Sequence, residues 1–85
     1  MKWDIDLVAS ARKSLKKASP DDRRRLLRAL EEMQHDPFTG DIARLLAGRF
    51  DWRRRVGSWR IFFSVYPDVR RVDVGAIERR TSTTY

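Results

Sequence analysis

The residues best suited to chemistry in this chain are arginines that alternate along two neighbouring segments. Arg53 and Arg55 lie in the segment 50–56, and Arg60 lies in the segment 59–66. A guanidinium group is planar, keeps its charge and donates paired hydrogen bonds, so arginine is well suited to phosphate. Residues two apart share one face of a strand. The pattern predicts a basic strand surface that binds the phosphates of a nucleic acid.

A Gly-Ser pair at 57–58 separates these segments and predicts a two-residue hairpin, whose turn determines which residues face each other. In that register Arg55 faces Arg60, and Arg53 faces Phe62. Like charges directly opposite each other destabilise a strand pair, and such a cost often marks a site for the opposite charge. We predict Phe62 to be a base-stacking platform. The alternative is a solvated sheet face whose arginines splay apart in water.

The opposite face of the same two strands is apolar except for Arg54. It carries Trp52, Arg54, Val56, Trp59, Ile61, Phe63 and Val65. An apolar sheet face must be covered, so we predict that helices pack on it. Arg54 is expected to reach past the core edge or to pair with an acid, which is a structural role.

Two amphipathic helices are predicted ahead of the arginine segments. Apolar residues at three- and four-residue spacing predict a first helix over 8–18. Ser19 and Pro20 are an N-cap and a first-turn proline, and they predict a second helix that ends at about His35. The pair at 36–37 stops it, because the residue before proline avoids helical geometry. So short a link predicts a helical hairpin.

The remaining segments predict strands and one loop. Alternation predicts a first strand over 2–7, and the segment 69–77 predicts a last one. Residues 38–48 contain two glycines and predict a loop with a short turn at 42–46. The predicted class is α+β: a two-helix N-terminal hairpin packed on an antiparallel β-sheet, in the order β-α-α-β-β-β, with residues 1–85 as one domain.

Composition limits the chemistry that is available. The formal charge is +7, and residues 44–85 hold ten basic and four acidic side chains. There is no Cys and one His, which excludes thiolate zinc sites and histidine clusters. Asp36 and Asp41 flank Pro-Phe-Thr-Gly and are interpreted as turn formers. We expect no metal, no cofactor, no membrane span and a cytoplasmic location.

Three motifs occur together with the helical hairpin. They are Asp36-Pro-Phe-Thr-Gly-Asp41, Trp52-Arg-Arg-Arg-Val-Gly-Ser-Trp-Arg-Ile61, and Ile77-Glu-Arg-Arg followed by Tyr85. With them, nearly the whole chain resembles the RelE/ParE toxin superfamily of bacterial toxin-antitoxin systems. The resemblance implies a RelE-like fold and a ribosome-dependent messenger-RNA endonuclease that a cognate antitoxin neutralises. The expected partners are that antitoxin, the ribosome and messenger RNA.

The resemblance also implies roles for individual residues. Matching positions put the catalytic roles on Arg53, Arg55, Arg60, Arg79 and Tyr85. We assign RNA binding to Arg54, Phe62 and Arg80. Well-characterised RelE members carry lysines where this chain has Arg53 and Arg55, and arginine cannot serve as a general base. Either Tyr85 supplies the base, or charge and positioning suffice, and both alternatives remain open.

The predicted reaction needs no metal, because RNA carries its own nucleophile. The 2′-hydroxyl would attack the adjacent phosphate and give a 2′,3′-cyclic phosphate and a free 5′-hydroxyl. Arg60 and Arg79 would stabilise the charge of the phosphorane. Two other classes of function stay open: a ParE-like inhibitor of DNA gyrase, and a non-catalytic domain that binds RNA or the ribosome.

Overall fold

The chain folds into two helices and a five-stranded sheet over residues 2–80, the part that this computed structural model describes. In chain order the elements are β1 Asp4–Leu7, α1 Ala9–Lys17, α2 Pro20–His35, β2 Asp41–Arg44, β3 Trp52–Val56, β4 Trp59–Tyr66, a 3-10 helix Pro67–Val69 and β5 Arg71–Arg79. The predicted α+β class is confirmed. Tyr85 lies outside the described residues. Within them, neither helix is long and apolar enough to cross a membrane.

The helical hairpin forms where the sequence predicts it. Pro20 begins α2, and the hydroxyl of Ser19 accepts a hydrogen bond from the backbone N–H of Asp22 at 3.3 Å. Arg23 then donates to the carbonyls that end α1, those of Leu15 at 3.2 Å, Lys16 at 2.7 Å and Ala18 at 3.0 Å. The last carbonyls of a helix lack helical partners. Arg23 therefore helps to satisfy the end of α1 and joins the two helices.

The sheet is mixed rather than wholly antiparallel, with the strand order β1-β5-β4-β3-β2. The predicted meander of β3, β4 and β5 is antiparallel, but β1 runs parallel to β5. After β1 the chain passes through both helices, enters the far edge of the sheet at β2 and returns strand by strand to β1. Alternation in a sequence reports the buried face of a strand and not its direction, so the parallel pairing was not predicted.

The segment 38–48 was predicted to be a loop, and this is wrong for Asp41–Arg44. These residues form β2, an edge strand that pairs antiparallel with β3 and places Asp41 opposite Arg55. Four residues are too few for a clear period-two pattern. The role of Asp36 as a turn former was predicted correctly. Its carboxylate accepts a hydrogen bond from the backbone N–H of Phe38 at 2.9 Å, just before β2. Asp41 itself is a strand residue and not a turn former.

The hairpin of β3 and β4 has the predicted register. Arg55 pairs with Arg60, Arg53 with Phe62, and Trp52 with Phe63. Gly57 has φ +60°, the left-handed geometry that the first position of a type II′ turn requires. The predicted assignment of residues to the two faces of the hairpin is thereby confirmed.

The core lies between the helices and one face of the sheet. Its buried members are Ala11, Ala18, Leu26, Ala29, Leu30, Met33, Trp59, Ile61, Phe63, Val72, Val74 and Ile77. Both helices pack on this side, so the other side of the sheet has no helix over it. We call that other side the open face. It is the side that carries the alternating arginines.

Candidate nucleic-acid interface

Four arginines meet on the open face of the sheet. Alternation and pairing bring Arg53, Arg55 and Arg60 together on β3 and β4. Arg80, directly after β5, joins them: its backbone N–H donates to the carbonyl of Ser58 at 2.6 Å, and its charge acts on Arg60. We call these four residues the arginine face. Sequence reasoning placed the first three correctly.

Arg60 is the member of the arginine face on which the other three charges act most clearly. Desolvation lowers the pKa of Arg60 from its ordinary value, and repulsion from Arg80, Arg53 and Arg55 lowers it further. Arginine stays protonated at physiological pH in spite of such shifts. The cluster thus holds positive charges at a cost that a bound anion would relieve.

Two solvent-shielded donor atoms of the arginine face have no hydrogen-bond partner among residues 2–80. They are Nη1 of Arg53 and Nε of Arg60, and both are shielded from solvent although neither side chain is fully buried. Buried donors are almost always hydrogen-bonded in folded proteins. A phosphate oxygen is an acceptor that would satisfy them through charge-assisted bonds.

Two carboxylates of the open face lie in register beside these arginines. Asp41 lies opposite Arg55, and its Oδ2 is 3.9 Å from Nε of Arg55, with both side chains largely exposed. Glu78 pairs in register with Arg60. Sequence reasoning missed Glu78 because its face depends on an irregularity in β5. The two acids reduce the net charge of the site and add groups that can accept a proton.

Arg79 does not join the arginine face. In register it lies opposite Trp59, which belongs to the core side of the sheet. There the indole of Trp59 donates to Oδ2 of Asp22 at 3.0 Å. That hydrogen bond is the main cause of the lowered pKa of Asp22, to which the charge of Arg79 also contributes. The predicted catalytic residue Arg79 therefore lies by the start of α2, and Arg80 occupies the place expected for it.

Arg54 has the structural role that the sequence indicated. The residue is 7% exposed, and its side chain lies under α2, where it donates to the carbonyl of Ala29 at 3.3 Å and to the hydroxyl of Thr39 at 3.4 Å. It also forms an ion pair with Glu32. A β-carbon on Gly40 would come within 2.8 Å of this guanidinium, so Gly40 leaves room for it. The structure does not bring Arg54 to the other predicted RNA-binding residues.

Phe62 is on the open face as predicted, but a second aromatic ring covers part of it. Phe50, in the segment between β2 and β3, lies with its ring centroid 6.0 Å from that of Phe62. The same ring rests on Gly75, where a β-carbon would come within 1.9 Å of it. Sequence reasoning missed Phe50 because that residue was counted as part of strand 50–56. The aromatic surface beside the arginines is thus a pair of rings.

The open face is electrostatically divided along its length. Asp4 and Asp6 alternate with the half-buried core residues of β1, and Asp6 neighbours Asp73 of β5. Arg71 pairs with Asp73, with Nε 2.9 Å from Oδ1. Acidic groups therefore lie at the end of the sheet away from the hairpin. No group of three or more His, Cys, Asp or Glu side chains able to hold a metal occurs in residues 2–80.

No protein-family model and no curated protein matches this sequence. Solved structures do match it, at low sequence identity. A chain of the archaeal RelE-RelB complex from Pyrococcus horikoshii is 19% identical with a TM-score of 0.82, and the match covers 98% of this chain and 100% of that one. The isolated E. coli RelE toxin is 17% identical with a TM-score of 0.79, covering 95% and 87%.

The same likeness extends to a third organism. A chain of the RelB-RelE antitoxin-toxin complex from Methanococcus jannaschii is 23% identical with a TM-score of 0.71, and the match covers 88% of this chain and 89% of that one. Agreement over nearly the whole length of each chain shows that this protein has the RelE-like fold. The predicted fold is confirmed.

Proposed function

We propose that this protein is the toxin of a type II toxin-antitoxin pair and that it cleaves messenger RNA on the ribosome without a metal. The observation that carries the proposal is the arginine face, four clustered cations of which Arg53 and Arg60 hold shielded donors with no partner in residues 2–80. The RelE-like fold supports it, because solved structures of this fold include a RelE toxin and RelE-RelB complexes.

The proposed reaction is an internal displacement at phosphorus. The O2′–P bond forms while the P–O5′ bond breaks, which leaves a 2′,3′-cyclic phosphate and a 5′-hydroxyl. A base takes the proton from O2′, and the departing O5′ gains one. Arg60, with Arg53 and Arg80 beside it, stabilises the extra negative charge that the non-bridging phosphate oxygens carry in the transition state. Arg55 orients the backbone of the RNA.

The base in this reaction cannot be an arginine. Tyr85 is one candidate for the base, and the open-face carboxylates Asp41 and Glu78 become candidates beside it, since Asp and Glu are among the side chains that serve as general bases. Glu78 is the stronger of the two candidates because Asp41 already lies within 3.9 Å of Arg55. Within residues 2–80, Glu78 forms no ion pair as short as the 3.9 Å pair between Asp41 and Arg55.

The proposed partners follow from the charge of the open face. Phosphates are attracted to the arginine face and repelled by Asp4, Asp6 and Asp73 at the far end, so the RNA would lie over the hairpin end of the sheet. A cognate antitoxin would neutralise the toxin by placing acidic side chains near the arginines. The ribosome and messenger RNA would be met in the cytoplasm.

The proposal is tested by brief expression followed by mapping of messenger-RNA ends on translating ribosomes. Arg60→Ala should reduce the cleavage rate about 100-fold or more, by analogy with the loss of an oxyanion-stabilising group. Arg80→Ala should reduce the cleavage rate more than Arg79→Ala does, because Arg80 is the residue that lies beside Arg60. Arg71→Ala is the matched control. Arg71 is an arginine on the same sheet face, but it lies beside Asp73 at the end of the sheet away from the hairpin.

Three outcomes would contradict the proposal. DNA damage with intact messenger RNA would indicate a gyrase inhibitor. Salt-dependent ribosome binding without cleavage would indicate a non-catalytic binding domain. Equal cleavage by the wild type and by Arg60→Ala would show that the arginine face is not the catalytic surface.

A further inference from the structure

The segment between β2 and β3 places an aromatic ring where the core does not need one. Residues 45–51 are closed by a hydrogen bond from the backbone N–H of Leu45 to the carbonyl of Asp51 at 2.8 Å. Within this loop Phe50 is half-buried on the open face, on the side of the sheet that the helices leave uncovered. Its ring therefore contributes nothing to the main core.

The sheet is shaped to receive this ring. Gly75 is the extra residue of a β-bulge, since Phe62 pairs with Ala76 and Phe63 pairs with Val74. Any side chain at Gly75 would collide with Phe50, whose Cε1 would lie 1.9 Å from a β-carbon. A glycine inside a strand often marks a close approach of another group. Here that group is an aromatic ring held against the sheet.

One positive charge lies against the ring, and the arginine face begins next to its aromatic neighbour Phe62. The guanidinium carbon of Arg49 lies 5.6 Å from the centroid of Phe50, in the range of a cation–π contact. The ring centroid also lies 6.0 Å from that of Phe62, which pairs in register with Arg53 of the arginine face. An aromatic surface bordered by cations is the arrangement that proteins use to stack the bases of single-stranded nucleic acids.

We propose that Phe50, supported by Phe62 and Gly75, forms a nucleobase-stacking subsite next to the arginine face. One base of a single-stranded RNA stacks on the ring while its flanking phosphates contact the arginines, and Arg49 turns aside or stacks on the base. This subsite rests on the proposed function in that its ligand is RNA. It differs from the sequence prediction, which gave a stacking role to Phe62 and to Tyr85 but not to Phe50.

The test uses short 2′-O-methyl oligoribonucleotides, which lack the attacking hydroxyl and so report binding alone. A series in which each position in turn is abasic is titrated against the wild-type protein. One position should show a loss of affinity of about 5- to 150-fold, the range expected for one stacked base. In Phe50→Leu that dependence should disappear, while the affinity for the oligonucleotide abasic at this position stays within about twofold.

Three further variants separate stacking from folding. Phe50→Tyr keeps a π surface and should keep the base dependence. Gly75→Ala keeps Phe50 but displaces its ring, and should lose the dependence as Phe50→Leu does. Tyr66→Leu is the matched control, because Tyr66 is an aromatic on the same face with Arg71 at 5.4 Å from its ring, at the acidic end. It should leave the base dependence unchanged.

The failure of this subsite and the failure of the proposed function give different results. If Phe50→Leu keeps the wild-type base dependence while Arg60→Ala loses affinity, the subsite is refuted and the proposed function stands. If the wild-type protein does not bind the oligonucleotides or shows no base dependence, the subsite is also refuted. Messenger-RNA cleavage on translating ribosomes then decides the proposed function separately.

Discussion

Replacing Arg54 by methionine should destabilise the protein without weakening RNA binding. Methionine keeps the apolar stem of the side chain under α2 but removes the guanidinium, with its bonds to the carbonyl of Ala29, to Thr39 and to Glu32. Hydrogen bonds from charged groups contribute about 1.5–3 kcal/mol each. At 3.3 Å and 3.4 Å the first two lie near the distance limit and contribute at the low end.

The ion pair adds little to this loss, because Glu32 is 51% exposed and water screens it. Methionine also avoids the cost of desolvating a cation, which offsets part of the lost bonding. We expect the free energy of unfolding to fall by about 1–2 kcal/mol, which lowers Tm by about 5–15 °C for a domain of this size. Arg54→Ala should lower the free energy of unfolding by about 2 kcal/mol more than Arg54→Met does, since it also removes buried methylene groups.

The assay combines urea denaturation with RNA titration of the folded protein. Arg53→Met is the matched control, because Arg53 is the adjacent residue on the opposite face and holds a shielded donor without a partner in residues 2–80. Arg53→Met should lower the affinity for RNA, and the free energy of unfolding should stay unchanged or rise slightly. Glu32→Gln added to Arg54→Met should cost almost nothing further, because its partner is already gone. An Arg54→Met protein of wild-type stability with weakened RNA binding would refute the burial argument.

Three other predictions concern ionised groups. A hydrogen bond from Trp59 lowers the pKa of Asp22, so its stabilising effect is present at neutral pH and is lost as the pH falls below about 4. Urea denaturation should therefore show that Asp22→Asn lowers the free energy of unfolding more at pH 7 than at pH 3. An equal loss of stability at both pH values would contradict this. Arg60→Ala should reduce the slope of log affinity for single-stranded RNA against log salt by about 0.7, and an unchanged slope would show that Arg60 contacts no phosphate. Asp41→Asn should strengthen RNA binding about two- to fivefold, the size of one exposed ion pair, because Arg55 loses a competing acid. Weaker binding would mean that Asp41 contacts the RNA directly.

Local rules were enough to predict the hairpin and its arginines. A two-residue turn fixes the register of the strands that it joins, and period-two alternation then assigns each residue to a face. For this reason Arg55 and Arg60 could be paired from the sequence alone, and the structure has them paired. The N-terminus of α2 was predictable for a similar reason, since Ser19 and Pro20 act on their own backbone neighbours.

Long-range pairing was not predictable by these rules. The parallel contact of β1 with β5 joins residues far apart in the sequence, and β2 is a strand because β3 offers it an edge to pair with. Phe50 lies in a loop whose path across the open face depends on Gly75, which comes 25 positions later. Each of these features depends on a partner that only the folded chain supplies.

The bulge at Gly75 explains why Arg80, and not Arg79, lies beside Arg60. Before the bulge, Val72 and Val74 face the core, so simple alternation would turn Arg79 to the open face. The extra residue reverses the alternation, because a shift of one residue moves every later side chain to the other face. Ile77 is accordingly 2% exposed in the core, and Glu78 faces outward opposite Arg60. The same glycine leaves room for the Phe50 ring. One residue in the middle of β5 therefore determines both which C-terminal arginine joins the arginine face and whether an aromatic ring can lie next to it.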